Sequence, residues 1–361
     1  MRVLAWRRPR LFSGHCWRVV RLVLLLSMLF VLLVVPVRNA VLSFFLPGMW
    51  LEHSTLFLIK VALDFQHFPV EDAPLGHSPI RLQVDESEIQ LKYLPRAPSF
   101  QEFYQQVSHL EQRARSSSAA QRELDTLLMF EPVMNPKERA TALFTMDVFI
   151  RACKAANLTF FLISGSMMGV MRHHGMIPWD DDFDVAMNGS DWRKVRDVLS
   201  NIEGFELFAP AKVQWKFFLS SLPKGNRPFK WPNIDIFFFN EDEEFVWSQT
   251  WGGKYSLCNK KSDVFPLVVR KFELWSVPVP RRIGALLTAE FGDFHSECST
   301  PAYSHKINVE VDSDMQKMVK CDKLHKVFPF VFHKAGSSSK TVLEIKMVGG
   351  HPISNATFPV E

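Results

Sequence analysis

The stretch "IPWDDDFDVAM", residues 177–187, sets four aspartates in five positions directly before an alternating apolar run. Strand propensity disfavours Asp, and like charges this close repel, so the cluster calls for a compensating cation. Side chains on a strand alternate between faces, which puts Asp182, Asp184 and Ala186 on one side and Phe183, Val185 and Met187 on the other. Two carboxylates then stand together above a hydrophobic anchor. Unneutralised, such a pair repels or takes up a proton; a divalent ion shared by Asp182 and Asp184 removes the conflict, and oxygen-only ligands suit Mg²⁺ or Mn²⁺.

Outward from this stretch, "NIDIFFF" (233–239) embeds Asp235 among strong β-formers. If its strand lies beside the first, three carboxylates on two strands can hold metals that clamp the attacking and leaving oxygens of a phosphoryl displacement. Upstream, "ISGSMMG" (163–169) breaks between a buried strand and a helix, leaving free backbone N–H groups at a positive helix end. Gly165 would let the backbone approach a phosphate, Ser166 would add a hydroxyl, and Arg172 is expected to reach the same anion. A calcium loop on Asp180, Asp182 and Asp184 is disfavoured because Val185 stands where its sharp turn needs Gly. His173 and His174 read as solvated.

Around the motif the periodicity predicts a helix from Asn135 as N-cap, with Pro136 at its first position and an apolar stripe through Leu143, Met146, Phe149, Ile150 and Cys153. Strands are expected at 158–164, 182–188, 214–221, 231–239 and 244–248, and helices at about 190–200 and 283–291. Short helices alternating with strands give an α+β (or α/β) class, a mixed sheet flanked by helices. Residues 100–128 have helical spacing interrupted at Ser116–118, whereas 40–100 mix apolar patches with Pro and His and show no period.

The net charge of +4 misleads, because residues 1–51 hold seven Arg and no Asp, Glu or Lys; without them the rest carries about −3. No clustered basic surface is implied, so nucleic acid is excluded as partner. Residues 19–37 are apolar apart from Arg21 and Ser27, about the length that crosses a bilayer, with five arginines before them. The positive-inside rule predicts a type II arrangement: cytosolic tail 1–18, signal anchor 19–37, lumenal stem 38–134 and catalytic domain 135–361, in the Golgi or ER membrane. Sequons at Asn157, Asn188 and Asn355 agree with a lumenal body. There, Cys153, Cys258, Cys298 and Cys321 would allow two disulfides in three pairings, which sequence does not choose between; a Zn site lacks ligand spacing.

The order of strand, Gly-Ser, helix, Asp-x-Asp strand and later embedded Asp resembles the nucleotidyltransferase fold of the polymerase β type. "GSMMGVMRHHGMIPWDDDFDVAM" (165–187) resembles the signature of the LicD family, and residues 263–294 resemble its C-terminal segment, with Phe291 where Tyr is usual. The likeness covers about 137–305. It implies donor-phosphate binding by Gly165 and Ser166, and metal binding by Asp182 and Asp184, with Asp235 as a third carboxylate and Asp180, the first Asp of the family's "PWD" word, also among the metal residues. Asp181 is expected to stand outside this geometry.

The implied reaction moves a phospho-alcohol (ribitol-, glycerol- or choline-phosphate) from a CDP-alcohol donor to a hydroxyl of a glycan or glycoprotein acceptor, releasing CMP. A choline donor would want an aromatic cage, for which Trp179, Trp215, Trp231, Trp247, Trp251 and Trp275 are candidates. Two other readings are a type II Golgi glycosyltransferase, disfavoured by the Gly-Ser helix start and the separate Asp235, and a non-catalytic membrane-anchored scaffold. The scaffold is disfavoured because an idle acidic cluster would cost stability.

Overall fold

The computed structural model of the protein describes residues 14–34, 37, 61, 63–66, 68–250, 258–336 and 338–359. The chain divides into two units, Met1–Asp64 and Phe65–Glu361.

In the first unit, α1 spans Gly14–Leu33. Its apolar side chains from Leu22 to Phe30 are exposed. Among the described residues no helix is long and apolar enough to cross a membrane, so the span expected at 19–37 gains no support from the structure. The start of the expected tail, residues 1–13, and the first part of the expected stem, 38–60, lie outside the described residues.

The second unit begins at Phe65, not near 135. Residues 65–134 are therefore no separate stem, because their aromatic and polar groups pack into the same core. Phe68 stacks on Trp192 at 5.3 Å and meets Trp215 and Phe238 edge-on. The Arg196 guanidinium donates to the carbonyls of Val70, Ala73 and Pro74. Helices α2 (Gln101–Ala114) and α3 (Ser118–Leu128) follow, with Ser117 capping the second. Phe103 stacks on Phe328 at 5.1 Å.

Helix α4 (Pro136–Ala155) starts in the expected way: Asn135 accepts from the N–H groups of Lys137 and Glu138, and Glu138 returns a bond to the Asn135 N–H. After it come β1 (Phe160–Leu162), α5 (Ser164–His173) and β2 (Phe183–Asn188). Next are α6 (Trp192–Leu199), β3 (Phe205–Phe208), β4 (Trp215–Leu219), β5 (Asn233–Glu241), β6 (Phe245–Ser248) and β7 (Cys258–Lys260). Asp191 is the N-cap of α6.

These strands form one mixed sheet in the order β1-β2-β5-β4-β3, with β6 and β7 continuing from β5. Only β2 and β5 run parallel among the paired strands. Phe183, Val185 and Met187, on the anchor face of β2, are fully buried; burial of each such side chain stabilises by about 1.5–3 kcal/mol, which pins the strand in register.

The hairpin β8 (Val268–Phe272) and β9 (Trp275–Val279) precedes α7 (Ile283–Phe291). Short strands β10 (Glu297–Ser299), β11 (Tyr303–Ser304), β12 (Val309–Glu310) and β13 (Met318–Lys320) pair as β10 with β13 and β11 with β12. Cys298 and Cys321 form a disulfide across the first of these pairs, while Cys153 is a buried thiol in α4. A three-stranded sheet of β14 (Phe330–Ala335), β15 (Thr341–Val348) and β16 (His351–Pro359) ends the described chain.

Candidate active site

Three adjacent strands bring the site together in one row. Asp184 on β2 is the register partner of Asp235 on β5, and Asp235 is the register partner of Lys216 on β4. Asp182, one step before β2, shares the face of Asp184. Oxygens of Asp182, Asp184 and Asp235 lie within 4.8 Å of one another, and Asp182 and Asp235 are almost fully buried.

Charge in this cluster is under-compensated. Burial and then the neighbouring charge of Asp235 push Asp184 up to about 8. Burial, followed by Asp184, takes Asp182 well above the usual carboxylate range. Lys216 neutralises Asp235, its Nζ lying 2.5 and 2.6 Å from the two carboxylate oxygens. Asp182 Oδ2 is buried without a hydrogen-bond partner, an orphaned acceptor that a cation would satisfy. Three buried carboxylates with a surplus of negative charge and an open oxygen fit a hard divalent ion such as Mg²⁺ or Mn²⁺.

The start of α5 closes one side. Ser164, before the first turn, has a left-handed backbone with φ of 47°, a strained conformation of the kind that collects at functional sites; its hydroxyl donates to Glu290 at 2.9 Å. A Cβ on Gly165 would stand 2.8 Å from Asp180 Oδ2, so only Gly allows that carboxylate to rest against the helix start. Ser166 Oγ accepts from the Asp184 N–H at 2.9 Å, tying the helix to β2. Asp180 faces Gly165 and lies outside the three-carboxylate set; burial and then Asp181 raise it to about 6.

Arg172 is not brought to this site. Seven residues beyond Gly165 along the helix is about 10 Å, and its buried guanidinium donates to the carbonyls of Phe294, 2.7 Å from Nε, and Glu297. His173 and His174 are buried rather than solvated: His173 Nδ1 lies 2.6 Å from the Pro329 carbonyl and His174 Nε2 lies 2.6 Å from Glu344. Of the tryptophans considered for an aromatic cage, Trp179, Trp215 and Trp247 are core residues. Trp275 donates to Asp147, Trp231 donates to the Asp181 carbonyl, and Trp251 lies outside the described residues.

Sequence reasoning missed two residues here. Lys216 had a signal, a lone lysine inside the apolar strand "WKFFL". His305 had none. Its ring stands between Asp181 and Asp182, with Nδ1 2.9 Å from Asp181 Oδ1 and Nε2 3.1 Å from Asp182 Oδ2. Asp181 is 2% exposed and also accepts the backbone N–H groups of His305 and Lys306, so it belongs to the site's structure. A cavity of about 230 Å³ adjoins it, lined by Met129, Asp181, Tyr303, Ser304 and Met315 among others. A larger one of about 660 Å³ lies between α3 and residues 319–327, away from the carboxylates.

Of the sequons, Asn157 and Asn355 are exposed. Asn188 is half-buried and its amide donates to Glu241 at 3.1 Å.

Residues 157–282, about a third of the chain, match the family model described as LicD/FKTN/FKRP, nucleotidyltransferase domain. Among curated proteins the chain is similar to the lipopolysaccharide cholinephosphotransferase LicD of Haemophilus influenzae, 34% identical over 62 residues, which is 17% of this chain and 23% of that protein. An uncharacterized protein of Rickettsia prowazekii is 34% identical over 47 residues, 13% of this chain and 18% of that protein. The match thus spans less than a quarter of the length of either relative.

Proposed function

With residues 157–282 assigned to the LicD nucleotidyltransferase family, we propose that the protein is a metal-dependent phosphotransferase. It moves a phospho-alcohol from a CDP-alcohol to a glycan hydroxyl and releases CMP; ribitol, glycerol and choline phosphate are the donor groups considered. The observation that carries this reading is the meeting of Asp182, Asp184 and Asp235 within 4.8 Å beside the Gly165–Ser166 helix start. Similarity to a cholinephosphotransferase supports the reaction class.

In this reading Asp182, Asp184 and Asp235 hold Mg²⁺ or Mn²⁺, which when bound neutralises the donor diphosphate and stabilises charge developing on the leaving phosphate. Gly165 and the first N–H groups of α5 receive donor phosphate oxygens. Ser166 fixes the distance between that cradle and Asp184, and Lys216 orients Asp235. The buried Phe183, Val185 and Met187 hold the carboxylates to a narrow range of positions, as catalysis by positioning requires.

The same reading makes the protein a Golgi or ER type II membrane protein, with residues 19–37 as anchor and the catalytic domain lumenal. The arginines before that segment, the exposed Asn157 and Asn355, and the Cys298–Cys321 disulfide support it.

The test is CMP release by the full chain in detergent, supplied with Mg²⁺ or Mn²⁺ and, in parallel, CDP-ribitol, CDP-glycerol, CDP-choline and nucleotide sugars, each with a glycan acceptor mixture. CMP from one CDP-alcohol, abolished by EDTA, is the expected result. Turnover of nucleotide sugars alone would replace this reading with a glycosyltransferase.

A further inference from the structure

His305 lies in the turn between β11 and β12, outside the 157–282 family match, and reaches back 123 residues to the aspartate motif. Asp181 clamps it. The carboxylate receives Nδ1 at 2.9 Å, the backbone N–H of Lys306 at 2.8 Å and that of His305 at 3.3 Å. An ionised carboxylate only accepts hydrogen bonds, so Nδ1 carries a proton and Nε2 is the ring nitrogen left to act as a metal donor. Nε2 stands 3.1 Å from Asp182 Oδ2, yet that oxygen has no hydrogen-bond partner although Asp182 is only 4% exposed.

A nitrogen and an oxygen this close, without the alignment of a hydrogen bond, are placed to share one positive charge. The gap matches neighbouring ligand atoms on one ion, because two bonds of about 2.0–2.2 Å at a right angle separate their outer atoms by roughly 3 Å. A histidine that ligates a metal through one nitrogen typically donates its other N–H to a carboxylate, which fixes tautomer and ring orientation. Asp181 and His305 have that relation.

We infer that His305 Nε2 is a ligand of the divalent ion held by Asp182, and that Asp181 is the positioning residue that aims it. The inference rests on the metal-binding reading above. It also sharpens it, since a nitrogen donor among carboxylates shifts preference from Mg²⁺ towards Mn²⁺ or a later first-row ion. The hairpin that carries His305 thereby completes a site whose other ligands come from β2 and β5.

Pulsed electron paramagnetic resonance of Mn²⁺ bound to the full chain tests this. Wild-type protein should show ¹⁴N modulation that converts to the ¹⁵N pattern when only histidine is ¹⁵N-labelled, a readout that needs no substitution. His305→Gln, which keeps a polar group near Asp181, should retain bound Mn²⁺ and lose the modulation. Asp181→Asn should weaken Mn²⁺ affinity by about 10–100-fold. Bound Mn²⁺ without nitrogen modulation in the wild type would overturn the His305 assignment and leave the carboxylate site standing. Folded wild-type protein that binds no Mn²⁺ would overturn both.

Discussion

Helix α5 has three acidic side chains beyond its start and one, Glu344, just past its end, and the two places behave in opposite ways. At its start, Asp180, Asp182 and Asp184 are all held above their ordinary range, because burial and mutual repulsion exceed what Lys216 and His305 offset. Just past its end, Glu344 is buried, at 1% exposure, yet drops to about 2. Burial alone would raise it, but His174 Nε2 at 2.6 Å, His333 Nε2 at 3.2 Å and the Arg270 guanidinium converge on it. Asp182 and Glu344 are buried alike, at 4% and 1% exposure. What differs is whether the chain supplies its own cations: the C-terminal group is complete, and the N-terminal group is short of positive charge where a divalent ion is proposed to bind.

The comparison breaks most readily at the carboxylates themselves. Asp182→Asn and Asp184→Asn should each lower CMP release by at least about 10³-fold, while the melting temperature in EDTA stays level or rises because a repelling charge is gone. A fall of several degrees in EDTA would mean that these aspartates serve the fold.

Next in size are the two buried cations. Lys216→Met takes the lysine from buried Asp235, at a cost of about 3–5 kcal/mol in denaturant unfolding, and Arg270→Met leaves Glu344 to His174 and His333 and should cost about 1–3 kcal/mol. Mn²⁺ should restore much of the loss at Lys216 and none at Arg270. Equal behaviour of the two variants with metal would erase the distinction drawn here.

Arg172→Met removes the donors to two buried carbonyls and should cost about 1–3 kcal/mol, with the donor KM unchanged. A raised KM without a change in stability would return Arg172 to the donor site.

The smallest effect is a pH dependence. Glu344 is depressed in the folded state, so its contribution is present above its unfolded pKa and is lost as pH falls through the folded one. The melting temperature of wild type should therefore exceed that of Glu344→Gln by an amount that is constant above about pH 5 and shrinks towards pH 2. A gap that widened below pH 4 would contradict the assignment.

The sequence revealed the parts of the site that are local. Alternation along one strand identified Asp182 and Asp184 as neighbours, and the β-formers around Asp235 marked a second strand. The parts that depend on register or on distant segments were illegible. Lys216 meets Asp235 only through the pairing of β4 with β5, and His305 is set by a hairpin with no local signature. Arg172 was misplaced because two helical turns carry a side chain too far from the helix start.

Within 65–134 the helical spacing of 100–128 was legible, but the docking of the segment was not, since contacts such as Phe68 among Trp192, Trp215 and Phe238 are tertiary. For β15 and β16 a signal did exist: an alternating run around Gly349 and Gly350, both with positive φ, is a hairpin pattern. It went unread beside the stronger motif upstream.

The Asp182, Asp184 and Asp235 cluster is short of positive charge, and a divalent ion is proposed to bind there. Calorimetric titration of Mn²⁺ into the full chain, wild type against Asp184→Asn, tests it most directly. The account predicts saturable uptake by the wild type, a melting temperature that rises with occupancy, and loss of both in the variant. Equal uptake by the two proteins, or none by folded wild type, would contradict it.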